Sequence, residues 1–250
     1  TVVWAHSGHI GGSMSAMDIL TILYHKYMRF DPKNPDWPDR DRLVVSKGHI
    51  GVGHAPVLAD LGFFDKELLK DFNLTGSNLG IHLDSTKVPG VDTSTGSLGH
   101  GLPMAAGLGL AARLSKKDYK TYCIVGDGES NEGAIWEAAM GIAHFNITNV
   151  ITFVDHNRLM LDGAVEEVMG IEPLADKWRA FGFEVLVVNG HSFPELSAAI
   201  DTALTATQKP VCIVCETVKG CGIDYMENNY KWHYGSLDDK NLAAARESLA

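Results

Sequence analysis

The 250-residue sequence has no apolar run approaching the roughly 20 residues that a membrane-spanning helix requires, so no membrane segment is expected. Basic residues are also scarce. The 21 Lys and Arg against 31 Asp and Glu leave a formal net charge of -10. Non-specific nucleic-acid binding needs a basic surface, so that class is excluded. The deficit does not exclude a phosphate ligand, because a metal ion, histidines and helix N-termini can make a cationic pocket in an acidic protein. Cysteines are few. Cys212 and Cys215 have the spacing of a chelating pair, but they lie in a run, 210–216, that reads as a buried strand. Residues three apart on a strand point to opposite faces, so both are expected to be plain core residues. With no disulfide framework in view, a reducing cytoplasm is the expected location. The sequence opens at Thr1 rather than Met, which leaves a lost targeting peptide open.

What is present is ordinary for a globular protein: 45% hydrophobic and 21% charged residues, enough for one α/β domain over 1–250 with a sizeable core. Helical patterns cover 13–28 (with Ser13 as the cap), 51–61, 99–114, 131–145, 174–181, 193–206 and 237–249. Short apolar runs at 43–45, 122–125, 150–154, 184–188 and 211–215 read as strands. Apolar strands alternating with helices predict a mostly parallel central sheet covered by helices on both faces. Ligands in such sheets bind at the carboxyl ends of the strands. Residues 76–95 form a Gly-, Ser- and Thr-rich stretch without periodicity, a length that is usually functional or mobile in a compact domain. The run 39–42 is expected to be solvated, with local ion pairs.

One motif carries chemistry. The strand ending at Val125 runs into Gly126-Asp127-Gly128-Glu129, and the next strand ends in Val154-Asp155-His156-Asn157. On adjacent parallel strands Asp127 and Asn157 share one edge of the sheet. The glycines allow close backbone approach, the amides before the following helix can meet a diphosphate, and Asp127 offers a hard carboxylate. A carboxylate, an amide oxygen, a backbone carbonyl and phosphate oxygens make a sensible octahedral magnesium site.

These residues resemble the thiamine-diphosphate-binding motif of transketolases. Further stretches are similar to elements of that family: Ala5-His6-Ser7-Gly8-His9, Asn34-Pro35-Asp36-Trp37, Arg40-Asp41-Arg42, Ser46-Lys47-Gly48-His49, Val88-Pro89-Gly90-Val91, Ser94-Thr95-Gly96-Ser97-Leu98-Gly99, Lys219-Gly220, and Met226 to Asn229 with Lys231-Trp232-His233. The resemblance covers nearly the whole chain. It implies the thiamine-diphosphate-binding fold and a two-carbon ketol transfer from a ketose to an aldose, usually phosphorylated. The implied cofactors are thiamine diphosphate and magnesium, with calcium or manganese as substitutes. The sequence stops where a full transketolase would begin its pyrimidine-binding domain. The implied partner is therefore a C-terminal subunit carrying that domain, in an α2β2 assembly; an excised domain would look the same as a natural split subunit.

Residue roles follow from the same resemblance. Asp127, Asn157 and the carbonyl of Leu159 are expected to bind the metal. His49, Gly126, Gly128, Glu129 and His233 are expected around the diphosphate. Gly96, Ser97 and Leu98 should line the aminopyrimidine and Leu161 the thiazolium. His9, His82 and His233 should face sugar hydroxyls, and Glu132 and Glu137 match an acidic pair between active sites. Histidine suits the proton traffic of such a reaction near neutral pH. There are departures from the family pattern: Ile81-His82-Leu83 where Gly-His-Pro is usual, Tyr234 after His233 where Gly is common, and His6, His54 and His100. His25, His144 and His191 read as structural or surface residues, and His156 as either a neighbour of Asn157 or a solvated turn. Two alternatives stay open on sequence: the corresponding half of another thiamine-diphosphate enzyme (deoxyxylulose-phosphate synthase-like or 2-oxo-acid decarboxylating), and a non-catalytic cofactor-binding module.

Overall fold

A computed structural model describes residues 1–250. Its five strands are β1 (Arg42–Val45), β2 (Thr121–Gly126), β3 (Val150–His156), β4 (Glu184–Asn189) and β5 (Val211–Glu216), all parallel, in the order β1-β2-β3-β5-β4. All five expected strands are present. Alternation along them explains the two-sided covering. Tyr122 and Ile124 of β2, Ile151 and Phe153 of β3, and Ile213 and Cys215 of β5 feed one apolar core. Cys123 and Val125, Val150 and Val154, and Cys212 and Val214 feed the other. Cys212 and Cys215 are thus buried on opposite faces of β5, and all four cysteines are free.

The helices are α1 (Val2–Ala5), α2 (Ile10–Ile22), α3 (Gly51–Asp60), α4 (Gly101–Leu114), α5 (Gly133–His144), α6 (Val165–Met169), α7 (Leu174–Ala180), α8 (Phe193–Thr205) and α9 (Asp239–Ser248). The first face is covered by α2, α3 and α8, the second by α4, α5 and α7. None is long and apolar enough to cross a membrane. Helices α1 and α6 were not expected, since each is too short for periodicity to register.

Two sequence expectations are corrected. Ser13 does not cap α2. The helix begins three residues earlier behind His9, and the Ser13 hydroxyl, buried inside the helix, donates to the His9 carbonyl at 2.7 Å. A Ser with a glycine pair before it reads as a cap only if the glycines are outside the helix. Here both are within it, and Gly11 is there because a Cβ would come within 2.9 Å of the Trp232 carbonyl and 3.0 Å of the Lys219 side chain. The helix ends in a wider turn over Leu23–Tyr27, where the Met28 amide donates to the Leu23 carbonyl at 2.8 Å.

Of the run 39–42 only Asp39 is solvated, half-exposed and 3.0 Å from Lys117. Asp41 is buried and accepts from the backbone amides of Arg29 and Lys120, each at 2.8 Å. Arg40 pairs with Asp92, whose side chain is only 3% exposed and also accepts from the Leu43 amide at 2.7 Å; the Arg42 guanidinium lies 3.6 Å away. Asp92 thereby ties the long 76–95 stretch to the start of β1. Removing one member of a buried pair strands the other charge. Asp92→Ala is expected to lower stability by about 3–5 kcal/mol, read as a shift in the urea unfolding midpoint. A midpoint unchanged from the parent protein would show that these charges are effectively solvated after all.

Candidate active site

The carboxyl ends of β1, β2, β3 and β5 open into one cavity of about 390 Å³. Its lining includes His9, Lys47, His49, Leu98, Gly126, Asp127, Gly128, Glu129, Glu132, Asn157, Leu159, Leu161, Lys219 and His233. All of these except the two lysines were expected from the sequence.

Asp127 follows β2 and is 2% exposed. One carboxylate oxygen accepts from the Gly128 amide at 2.7 Å and the other from the Arg158 amide. Burial, reinforced by the nearby Asp155 carboxylate, pushes its pKa up to about 6. A buried carboxylate with a raised pKa marks a candidate functional site, and a bound cation would offset the cost of its charge. The chain turns tightly at Gly128–Asn131 before α5 starts at Gly133, so the helix N-terminus lies further on than the motif alone predicts. A Cβ at Gly128 would come within 2.9 Å of the Met160 side chain.

Asn157 follows β3 and is also buried. Its Nδ2 donates to Asp155 Oδ2 at 3.1 Å and to the Ser15 hydroxyl at 3.3 Å, while its Oδ1 accepts from the Leu159 amide at 3.1 Å. The Leu159 carbonyl accepts from Lys219 Nζ at 2.9 Å, as does that of Met160 at 3.0 Å. A carboxylate, an amide oxygen and a carbonyl already engaged with a cationic side chain thus border the same cavity, and this donor set fits a hard divalent ion.

Three imidazoles form the opposite wall. Ring centroids of His9 and His49 are 4.9 Å apart, and those of His9 and His233, and of His49 and His233, 5.3 Å. Burial comes first and neighbouring positive or imidazole groups second in holding their pKa values down, to about 4 for His9 and about 3 for His233; His49 is lowered further still. Lys219, itself lowered to about 8 by burial and by Lys47, also donates to His233 Nδ1 at 2.8 Å. That assigns the His233 proton to Nε2 and leaves it as a donor. His9 Nδ1 is buried without a partner, which is the mark of a group awaiting a ligand.

Not every expected residue joins the cavity. His82 is exposed and lies beside Gly96, where a Cβ would meet its ring at 2.9 Å; neither lines the cavity, and Ser97 is exposed outside it. Leu98 alone of that stretch reaches in. Glu129 lines the cavity, but its carboxylate is fully employed elsewhere: it accepts from the Ser46 hydroxyl, the Gly99 amide at 2.8 Å and the Gly126 amide at 2.9 Å. It clamps the loop before α4 to the ends of β1 and β2. Glu132 is the residue preceding α5 and lines the cavity, whereas Glu137 is exposed away from it. His156 is neither beside Asn157's ligand face nor solvated. As the last residue of β3 its side chain points to the other side, where Nε2 meets Glu172 at 3.0 Å. His54 is buried and bonded to the Tyr24 hydroxyl at 2.9 Å, a core pair with no cavity contact.

The sequence missed Lys47, Lys219, Asp155 and Ser15. Asp155 is completely buried and gathers Lys47 Nζ, the Ser15 hydroxyl at 2.6 Å, the Thr217 hydroxyl and Asn157 Nδ2. Buried lysines are rare, and nothing in the local pattern distinguishes Lys47 or Lys219 from surface lysines. Only their place inside recognisable motifs offered a signal.

The lowered imidazoles predict a pH response of the metal-free protein. His9, His54 and His233 sit well below their ordinary 6.5. Below that pH the unfolded chain binds protons that the folded chain refuses, so stability falls as pH drops from about 6.5 toward 4. Asp127, raised to about 6, works the opposite way below that pH, as do the raised carboxyls of Asp92 and Glu129, but the lowered imidazoles of His9, His49, His54 and His233 outnumber these three and act first, from about 6.5 down. The melting temperature is expected to decline steadily from about pH 7 to 5. A flat profile there would contradict the neutral-imidazole assignment.

Comparison with known proteins supplies relatives for this geometry. The family described as "Transketolase, thiamine diphosphate binding domain" matches residues 1–250. The 6-deoxy-6-sulfo-D-fructose transketolase subunit SqwG of Clostridium sp. (strain MSTE9) is 42% identical over 97% of this chain and 88% of its own length. An apulose-4-phosphate transketolase subunit of Phocaeicola vulgatus is 41% identical, over 92% of this chain and 82% of its own. The crystal structure of transketolase from Campylobacter jejuni superimposes with a TM-score of 0.92 at 34% identity; 99% of this chain spans only 40% of that one. The chain belongs to the transketolase family, as its thiamine-diphosphate-binding domain.

Proposed function

We propose that this chain is the diphosphate-binding subunit of a transketolase that uses thiamine diphosphate and magnesium and transfers a two-carbon ketol unit between sugars. The observation that carries the reading is the convergence of Asp127, Asn157 Oδ1 and the Leu159 carbonyl on one cavity at the ends of adjacent strands. In this reading the 250 residues form a single diphosphate-binding domain. The pyrimidine-binding domain is contributed by a second polypeptide in an α2β2 assembly. The relatives named as transketolase subunits, matched over most of their own length, support that division.

Thiamine diphosphate, when bound, supplies the carbon–carbon bond cleavage and formation. The chain's own residues bind and orient. Asp127, Asn157 and the Leu159 carbonyl hold the metal. Gly128, His49, Lys219 and His233 face the diphosphate side, and Leu98 and Leu161 provide apolar contact for the rings. The Nε2 proton of His233 and the unpartnered Nδ1 of His9 give one donor and one site of variable role toward sugar hydroxyls. His82 does not line the cavity but lies close enough to His9, which does, to act on its pKa. The His9 and His233 imidazoles are both neutral at ordinary pH, so in this arrangement they meet sugar hydroxyls through hydrogen bonds rather than as charges.

The relatives' names indicate ketoses with an anionic end, phosphate in one case and sulfonate in another. The test reconstitutes the chain with its complementary subunit, thiamine diphosphate and magnesium. It then offers phosphorylated ketoses and 6-deoxy-6-sulfo-D-fructose as donors to an aldose acceptor. The expected product is the acceptor lengthened by two carbons, with no carbon dioxide released. Stoichiometric carbon dioxide would instead identify a decarboxylating enzyme built on the same domain.

A further inference from the structure

The amide of Asn157 has two nearly isosteric ends, and only its oxygen can ligate a hard cation. What decides its orientation lies behind it. Its Nδ2 faces Asp155 Oδ2 at 3.1 Å, and a carboxylate can accept but never donate. The Ser15 hydroxyl gives its proton to the same carboxylate at 2.6 Å, which leaves its lone pairs to accept the second Nδ2 contact at 3.3 Å. Both neighbours therefore demand the NH2 end. Oδ1 is left on the side of the Leu159 amide and the cavity. Asp155 is itself immobile: fully buried, paired with Lys47 Nζ and bonded by the Thr217 hydroxyl, it is gripped from α2, the end of β1 and the segment after β5.

We propose that Asp155 is a positioning residue that fixes which atom of the Asn157 amide meets the metal. It touches neither cofactor nor substrate. Lys47 pairs with its charge, yet the Asp155 carboxylate still helps raise the Asp127 pKa, so its part in the site is directional on top of this electrostatic one. The proposal rests on the magnesium–diphosphate reading above.

Asp155→Asn replaces an obligate acceptor with an amide that can also donate. The Asn157 amide is then free to turn its NH2 toward the cavity. The exchange variant, Asp155→Asn together with Asn157→Asp, restores direction by another route. The new amide at 155 donates to one oxygen of the new carboxylate at 157, whose other oxygen faces the cavity, and the total charge beside Lys47 is kept. Asn157→Asp alone supplies the same carboxylate opposite an unchanged Asp155, and a purely structural role for Asp155 predicts no gain of the exchange variant over that single variant.

The experiment measures Mn2+ binding by electron paramagnetic resonance on the complex of this chain with its complementary subunit, in the presence of thiamine diphosphate, together with melting temperatures. Loss of a group that orients a metal ligand weakens binding by about 10- to 100-fold, and that increase in Kd is expected for Asp155→Asn. The exchange variant is expected to recover at least about tenfold of it. Unchanged Mn2+ affinity in a folded Asp155→Asn protein overturns the proposal. So does an exchange variant that fails to fold, or that folds without regaining affinity. If Asp155→Asn does not fold, the exchange variant alone decides, since it must bind Mn2+ close to the parent value. A parent complex that binds no Mn2+ at all refutes the metal reading itself, and the proposal falls with it, an outcome distinct from the others.

Discussion

Asp127→Asn in the reconstituted enzyme is expected to lose more than about 100-fold in activity at limiting magnesium, beyond the 10- to 100-fold typical of residues one step removed from a metal. The change is isosteric, so the cavity keeps its shape and only the charge is removed. Two effects on stability nearly cancel in the metal-free chain. The new amide cannot accept from both the Gly128 and Arg158 amides, and leaving one buried amide without an acceptor costs about 1–3 kcal/mol. Against this, the fold no longer holds a carboxylate whose pKa stands at about 6 instead of 3.8, a relief on the order of 3 kcal/mol. The melting temperature without metal should therefore move by a few degrees at most. Activity lost together with folding, or activity retained within tenfold, would each contradict a metal-binding role. The same raised pKa has a consequence in the parent protein. A proton competes with the metal for Asp127 below about pH 6, so apparent metal affinity is expected to fall about tenfold per pH unit there.

The isolated chain is expected to show no turnover, and addition of the complementary subunit should raise the rate by at least about 100-fold, the lower end of what general acid–base groups contribute. The cavity argues for this from its rim. Leu161 lines it and is 56% exposed, and Tyr234, whose ring packs 4.8 Å from His9, is 43% exposed. Both side chains stand open at the site, where the proposed partner would cover them. Covering it would also exclude water and strengthen every charge interaction at Asp127 and Lys219. The measurement titrates the complementary polypeptide into this chain at fixed cofactor, and the rate should saturate at a defined stoichiometry. Full turnover by the 250 residues alone would remove the need for a partner.

Much of the fold was legible because its signals are local. Each of the five strands is a short apolar run bounded by turns, and the alternation at Cys212 and Cys215 correctly excluded a chelating pair. Asp127 and Asn157 could be placed together because the end of a parallel strand fixes where the next residue goes. The failures are all non-local. Ser13 looks like a cap until Lys219 and the Trp232 carbonyl are seen pressing on Gly11. Arg40 and Asp41 look solvated until Asp92 of the 76–95 stretch and the amides of Arg29 and Lys120 close on them. Glu129 sits in a cofactor motif, yet its carboxylate is spent on Ser46, Gly99 and Gly126, bonds that no spacing along the chain announces. Asp155 adjoins a recognised residue and was passed over, since three of its four partners come from distant segments.

Those partners also constrain how the protein comes into being. Ser15 and Asp155 are 140 positions apart, Lys47 and Asp155 108, and Thr217 and Asp155 62. Contacts of such long sequence separation are closed late, after the loop entropy between them has been overcome. During synthesis the sheet can begin to assemble as soon as β3 leaves the ribosome, but the buried carboxylate keeps an incomplete set of partners until Thr217 emerges. A nascent chain interrupted before that residue holds most of its hydrophobic core and no finished binding floor. A finished floor to the site thus requires the chain to have been made at least as far as Thr217.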